Sequence, residues 1–257
     1  MSLNCVFIGA GNLATHLAVA LKEEGFGTVQ VYSRTEESAK KLADKINASF
    51  TTSPEKVSGD ASVYFVALKD DAFQSVLPRI SFNNKLVVHC AGSLPLSALD
   101  SYSVNTGVLY PLQTFSENRA IDFKQIPVFI EANSDKNRSV LLGIAEKISD
   151  RVTPVDSARR MALHIAAVFA CNFANHCYTL AGEVLKENGL QFELIRPLIQ
   201  ETAMKITELS PFEAQTGPAV RYDYQTIEKH LRFLSRNKEL SELYKTISKS
   251  IFSLHQK

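Results

Sequence analysis

Cys5-Val6-Phe7-Ile8-Gly9-Ala10-Gly11-Asn12-Leu13-Ala14 decides the fold. The run from Cys5 to Gly9 is continuously apolar and closed by glycine, the pattern of a strand buried on both faces of a parallel sheet. Behind it, Leu13, Leu17, Ala20 and Leu21 fall at i, i+4, i+7 and i+8 across Asn12–Glu24, which predicts an amphipathic helix with Gly25 as its stop. Between strand and helix stands G-x-G-x-x-A, and each position has its own reason. Gly9 permits a tight turn, Gly11 lets the backbone approach a pyrophosphate, and the small Ala14 lets helix pack on strand. The helix N-terminus then presents free N–H groups and the positive end of its dipole to phosphates. Such a loop is weak alone, but strand before, helix after and a second strand about 20 residues on supply its context. Gly9, Ala10, Gly11, Asn12 and Leu13 are therefore expected to hold a dinucleotide, a purely structural turn being the alternative.

Working outward, Thr28–Tyr32, Val63–Leu68, Leu86–His89, Gly107–Leu109, Val128–Glu131 and Val152–Val155 read as strands. Glu36–Ile46 and Lys136–Ile148 read as helices. Short apolar runs alternating with amphipathic stretches give β-α-β units and a doubly wound, mostly parallel sheet over residues 1–155. After Asp156 no strand is expected. Asp156 or Ser157 can cap a helix running to about Asn188 with Gly189 as its stop, about 45–50 Å long. Helices over Phe192–Glu208, Tyr224–Ser235 and Leu240–Leu254 follow, separated at Pro211 and Gly217-Pro218. The expectation is an α/β Rossmann domain, 1–155, followed by an all-α domain, 156–257, opened by a long helix.

A formal net charge of +1 without any dense Lys/Arg run leaves no electrostatic footprint for nucleic acid. Met161–Leu185 is apolar enough to raise a membrane span, but His164, Asn172, Asn175, His176 and Glu183 interrupt it. A core or subunit interface suits it better. The N-terminus enters a strand directly, without a leader pattern, so a cytoplasmic protein is expected. Cys5, Cys90, Cys171 and Cys177 match no metal spacing and are expected to be buried, reduced thiols, with no metal site.

The second strand ends Val31-Tyr32-Ser33-Arg34. A site for NAD usually carries Asp or Glu here to bond the ribose hydroxyls, whereas Ser33 followed by Arg34 suits a 2′-phosphate. NADP is favoured over NAD, although Glu36 and Glu37 soften the local potential and Arg34 could be a solvated surface residue. Leu68, closing its strand, is taken as a further cofactor contact.

A Rossmann half with this strand end, joined to a helical half opened by a long apolar helix, resembles the superfamily of 6-phosphogluconate and β-hydroxyacid dehydrogenases, ketopantoate reductase and pyrroline-5-carboxylate reductase. His89-Cys90-Ala91-Gly92-Ser93, Tyr110-Pro111-Leu112-Gln113-Thr114 and Thr216-Gly217-Pro218-Ala219-Val220-Arg221 resemble, more narrowly, a bacterial branch of NADP oxidoreductases with a helical domain of unknown function. The resemblance implies NADP, a small-molecule substrate and a homodimer formed through the helical domain. Sequence alone allows an intramolecular core equally well. In the hydroxyacid dehydrogenase branches a lysine on the long helix works with an asparagine four residues later. Asn172 stands where that asparagine falls, but Val168 replaces the lysine, which puts alcohol oxidation by the usual mechanism in doubt.

Three residues are candidates for catalysis. His89 ends a central strand, where open α/β sheets bind ligands, and its ordinary pKa suits a proton shuttle. Asn172, as an amide on an apolar helix, must find partners. His164 lies about 12 Å from Asn172 along the axis and is either functional or a core or interface histidine. Ser93 is read as a substrate contact or a cap for a short helix over Leu94–Leu99, and Gln113 as a substrate contact or part of an ordinary strand exit. Arg221 is read as a bidentate carboxylate ligand or a structural partner of Asp223. The expected activity is hydride transfer between NADP(H) and a small polar carbonyl, imine or hydroxy acid. Alternatives are an imine reductase of the pyrroline-5-carboxylate type, a deazaflavin-coupled NADP reductase, a nucleotide-binding protein without robust catalysis, and a structural dimer.

Overall fold

The computed structural model describes residues 3–256. Strand β1 (Asn4–Ile8) leads into α1 (Asn12–Glu23), β2 (Gly27–Tyr32), α2 (Glu36–Ile46) and the short β3 (Ser49–Thr51). Then come β4 (Val63–Val66), the single turn α3 (Phe73–Val76), β5 (Leu86–His89) and β6 (Thr106–Pro111). β7 (Val128–Ala132), α4 (Asp135–Ile148) and β8 (Val152–Pro154) complete an eight-stranded sheet of order β3-β2-β1-β4-β5-β6-β7-β8. Among the described residues only the β6–β7 pairing is antiparallel. The Rossmann class and its mostly parallel sheet are as expected. β3 was not, because three residues with two exposed side chains carry no apolar run.

The sheet is buried from both sides, as its unbroken apolar strands require. α1, α2 and α4 cover one face through Leu17, Leu21, Leu42, Leu141 and Ile144. The other face carries Phe73, Val76, Leu77 and Leu99 on short turns. The chain winds outward from β1 to β3 and then returns to lay β4 beside β1, so the strand order reverses between β1 and β4. Ligands of open α/β sheets bind outside the carboxyl ends at such a reversal. Gly9 sits there with φ +116°, and a Cβ on it would collide with the Ala67 carbonyl at the end of β4. Its N–H donates to the Tyr32 carbonyl at 2.8 Å, while Ala67 N–H donates to the Ile8 carbonyl at 2.8 Å. The left-handed backbone at Gly9 thus ties together the ends of three strands.

Beyond β8 the chain is helical: α5 (Ser157–Ala167), a π-helical segment (Val168–Phe173), α6 (Ala174–Glu187), α7 (Arg196–Lys205), the turn α8 (Pro211–Ala214), α9 (Tyr224–Phe233) and α10 (Lys238–His255). The long opening helix is therefore not one regular α-helix. The helix expected from Phe192 begins as a 3-10 turn over Phe192–Ile195, with Pro197 placed where α7 starts. The chain divides into two compact units, Met1–Asn172 and Phe173–Lys257. Strands end near residue 155, but α5 stays with the sheet-bearing unit because Ser157, Arg160 and His164 bond to it.

In the second unit, α6, α9 and α10 line an apolar groove of about 390 Å³ that includes Leu180, Val184, Phe233, Leu243 and Ile247. Leu190, Leu194 and Leu198 are 50%, 66% and 66% exposed. Cys5 and Cys90 are buried and reduced as expected, but Cys171 and Cys177 are exposed, since their helical segment has its apolar sides open. Among the described residues no helix is long and apolar enough to cross a membrane. No group of three or more His, Cys, Asp or Glu side chains among them is arranged to hold a metal ion.

Because Gly9 combines a left-handed backbone with a blocked Cβ, Gly9→Ala is expected to cost about 2–3 kcal/mol. A lower urea midpoint at unchanged slope checks this.

Candidate cofactor cradle and active site

Gly11 is the N-cap of α1, in extended backbone, with no acidic residue in the first turn and no side chain capping it. The first helical bond runs from Thr15 N–H to the Gly11 carbonyl at 2.9 Å. The amides of Asn12, Leu13 and Ala14 therefore have no intrahelical acceptor. Nothing lies within 4 Å of a Cβ placed on Gly11. Open space in front of unpaired amides and a positive dipole end is what a pyrophosphate needs. The Asn12 side chain does something else. Its Nδ2 donates to the Phe115 carbonyl at 3.1 Å, and His16 Nε2 pairs with the Ser116 carbonyl at 3.0 Å. These bonds hold the stretch after β6 against α1, beside a cavity of about 190 Å³ lined by Ala10, Thr15, Ser38 and Lys41, with Lys41 paired to Glu117.

At the end of β2, Ser33 N–H donates to the Thr51 carbonyl at 3.3 Å, and Arg34 follows, exposed and without an ion pair among the described residues. Glu36 and Glu37 occupy the first turn of α2. Burial raises the Tyr32 phenol pKa, opposed by the charges of Arg79 and Arg34. Two guanidinium groups thus act at this corner. Sequence reading missed Arg79, which is brought here by a turn after β4 and held by Glu55 at 2.6 Å. Leu68, half-buried directly after β4, places its backbone N 3.4 Å from a Cβ on Gly9, alongside the phosphate loop.

The third part of the site is the loop after β5. His89 is fully buried, and its Nδ1 accepts from Ala91 N–H at 3.2 Å. Its pKa is pushed down to about 3, first by burial and then by the nearby Arg160 charge, with the Pro95 carbonyl partly opposing. Nε2 closes no hydrogen bond of normal geometry. The strand end carrying His89 is covered by Phe73 and the loop itself, an enclosure that favours the neutral ring over the charged one.

Gly92 lies over a pair of side chains that sequence reading did not join. The Tyr110 hydroxyl is 3.0 Å from His164 Nδ1, with the rings edge to face. A Cβ on Gly92 would stand 2.6 Å from His164 Nδ1 and 2.9 Å from Tyr110 Cζ, so only glycine lets the loop lie this close. Register puts Tyr110 there: His89 of β5 faces Val108 of β6, and Tyr110 is the next residue on the same face, level with the loop. The Tyr110 hydroxyl was legible only as part of a strand-exit motif, since no spacing links it to His164.

Arg160 was missed altogether, although it is 1% exposed. It pairs with Glu131 of β7, donates to the Leu94 carbonyl at 2.5 Å and reaches Ser157 Oγ at 3.2 Å. Ser157 Oγ in turn donates to Glu131 at 2.8 Å and accepts Leu96 N–H at 3.0 Å. The neighbouring Arg159 is solvated beside Asp156, and nothing local in the sequence tells the two arginines apart.

The remaining candidates lie apart. Ser93 does not cap the following turn, whose N-cap is Pro95; its hydroxyl donates to Asp70 at 2.7 Å. Gln113 is exposed and uses its side-chain oxygen on Thr114 N–H at 2.7 Å. Asn172 is exposed on the π-helical segment, so the argument from a buried amide does not apply to this chain by itself. Val168 begins that segment, half-buried. Arg221 belongs to the second unit, exposed and without an ion pair to Asp223, which instead caps α9 by accepting Thr226 N–H at 3.1 Å.

A reversal-point phosphate loop, an arginine corner and a glycine loop over an ionisable pair define a dinucleotide-dependent oxidoreductase architecture. Two family models match the chain: "NADP oxidoreductase coenzyme F420-dependent" over residues 4–92, and "Domain of unknown function (DUF2520)" over 126–251. A protein from Bacteroides fragilis, described as an NADP oxidoreductase, is 49% identical, with 98% of each chain covered and a TM-score of 0.94. The chain belongs to the NADP oxidoreductase family that this protein represents. A Thermotoga maritima protein shares the fold at 24% identity, TM-score 0.82, covering 98% of this chain and all of that one. An imine reductase from Myxococcus stipitatus in complex with NADP+ shares it at 16% identity, TM-score 0.68, covering 98% and 93%. None of the curated proteins matches.

Burial of neutral His89 has a pH consequence. Its folded pKa lies below its unfolded value near 6.5, so its contribution to stability is complete above pH 6.5 and is lost as pH falls toward about 3. Unfolding free energy from pH 6.5 to 5 is expected to fall by up to about 1.4 kcal/mol per unit from this group. Denaturant titrations should show that slope flattened in His89→Gln.

Proposed function

We propose that the chain is an NADPH-dependent reductase of a small polar carbonyl or imine. The observation that carries this reading is the joint presence, in one unit, of the unpaired α1 amides behind Gly9 and Gly11 and of His164 under Gly92. Gly9 to Leu13 would hold the pyrophosphate, and Ser33 with Arg34 the 2′-phosphate, with Arg79 adding charge nearby. When bound, NADPH supplies a hydride. What the chain itself must add is a proton at the substrate's oxygen or nitrogen, and His164 is the best-placed donor. Neutral, enclosed His89 is unsuited to that task. Val168 in place of a lysine favours an imine or an activated carbonyl over a simple alcohol, because no ammonium group stands ready to act as a base on a hydroxyl.

We further propose that the helical unit forms a homodimer. Its support is the set of exposed apolar side chains that the unit carries, Leu190, Leu194, Leu198, Met204, Ile247 and Leu254 among them. Asn172, on the exposed π-helical segment, would gain its partners in that assembly.

Two measurements test these readings. NADPH is expected to raise the melting temperature well above the effect of NADH, with the preference lost in Arg34→Ala; equal shifts would remove the 2′-phosphate role. Light scattering after gel filtration is expected to give twice the chain mass, falling to one chain in Leu194→Arg/Leu198→Arg; a monomeric wild type would end the dimer proposal.

A further inference from the structure

His164 has two ring nitrogens with different surroundings. Nδ1 is beside the Tyr110 hydroxyl and under Gly92, whereas Nε2 makes no hydrogen bond among the described residues. Tyr110 is 7% exposed, and His164 is its hydrogen-bond partner. Burial raises the phenol's pKa, so the hydroxyl keeps its proton, while the charge of Arg160 pulls the other way. The Tyr110 hydroxyl has no other acceptor among the described residues, so the arrangement that pairs its buried proton has it donate to Nδ1, with the ring's own proton on Nε2. The half-buried ring is covered by the loop on its Nδ1 edge, which leaves the Nε2 edge uncovered.

We infer that Tyr110 is the positioning residue of the site: it fixes His164 as the Nε2–H tautomer and backs its proton transfer to the substrate. This rests on the reductase reading above. As hydride adds to the substrate carbon, the electron pair of the C=O or C=N bond moves onto the heteroatom. The heteroatom takes the proton from His164 Nε2, and Nδ1 takes the phenol proton from Tyr110. The phenolate, left within the field of the Arg160 guanidinium, takes back the Nδ1 proton as Nε2 regains one from water, which restores the Nε2–H tautomer. NADPH is oxidised by two electrons, the substrate is reduced by two, and the histidine ends neutral. The other charged group at this corner, Glu131, is already committed to Arg160 and Ser157. His89, on the same face, stays neutral.

The test does not require the natural substrate. Nitrogen-15 NMR of the full-length, histidine-labelled protein, with His164→Asn to assign the signal, reports which ring nitrogen carries the proton at mildly alkaline pH. The Nε2–H tautomer is expected in the wild type and a mixture in Tyr110→Phe, with NADPH affinity unchanged. An Nδ1–H wild type, or a tautomer indifferent to Tyr110→Phe, overturns the inference. Reduction of glyoxylate, pyruvate and 1-pyrroline by NADPH provides the second arm. His164→Asn is expected to lower kcat about a hundredfold, with Tyr110→Phe in between and KM for NADPH unmoved. Full turnover in Tyr110→Phe overturns the inference alone. A wild type inert toward all three probes counts against the reductase reading and leaves the tautomer measurement to decide Tyr110.

Discussion

The guanidinium of Arg160 is taken out of water on the first turns of α5 and is held by Glu131, the Leu94 carbonyl and Ser157. A buried charge of this kind is tolerable only when its partners are fixed, because losing one partner leaves the other uncompensated. The constraint works in both directions. The loop after β5 cannot move without releasing the Leu94 carbonyl, and α5 cannot shift without separating Arg160 from β7. His164 lies one turn further along the same helix, so the position of its ring under Gly92 follows from the ion pair beneath it. The geometry of the candidate site is therefore set by an ion pair that gives up no proton in the proposed step.

The same cation organises the protonation states around it. It helps hold His89 neutral, and it opposes the effect of burial on Tyr110. A strand-end histidine exposed to substrate would be a ready proton source. Enclosed beside a guanidinium, it becomes a spacer that accepts Ala91 N–H and shapes the glycine loop. Under the proposed reduction, proton transfer would fall to His164, which is on the helix rather than the sheet. Gly9 and Gly92 have parallel roles in this arrangement. Each lets a loop lie where a methyl group would collide, one against the end of β4 and the other against the Tyr110–His164 pair.

The sequence made the cofactor half legible because its signals are local. Gly9, Gly11 and Ala14 fall within one strand-turn-helix, and the missing carboxylate at Ser33-Arg34 lies one strand away. The parallel sheet could be read from unbroken apolar runs; the three-residue β3 could not, having none. The candidate active-site end was read less well for the opposite reason. Tyr110, Glu131, Arg160 and His164 come from β6, β7 and α5, and only strand register and helix placement bring them together. Arg160 also sits next to Arg159 in a stretch that reads as a solvated helix start, and burial alone separates their roles. His89 was singled out for its place at a strand end. Its enclosure depends on Phe73 and on a loop whose course no periodicity encodes. The π-helical turn at Val168–Phe173 likewise breaks a helix that its apolar pattern presented as continuous.

The most direct measurement is a crystal structure of the protein with NADP+ bound. The account predicts the pyrophosphate on the amides of Asn12 and Leu13, the 2′-phosphate beside Arg34, and the nicotinamide at the Cys90–Ser93 loop, with His164 one small substrate away. A nicotinamide directed elsewhere, with His164 beyond a small molecule's reach, would contradict it.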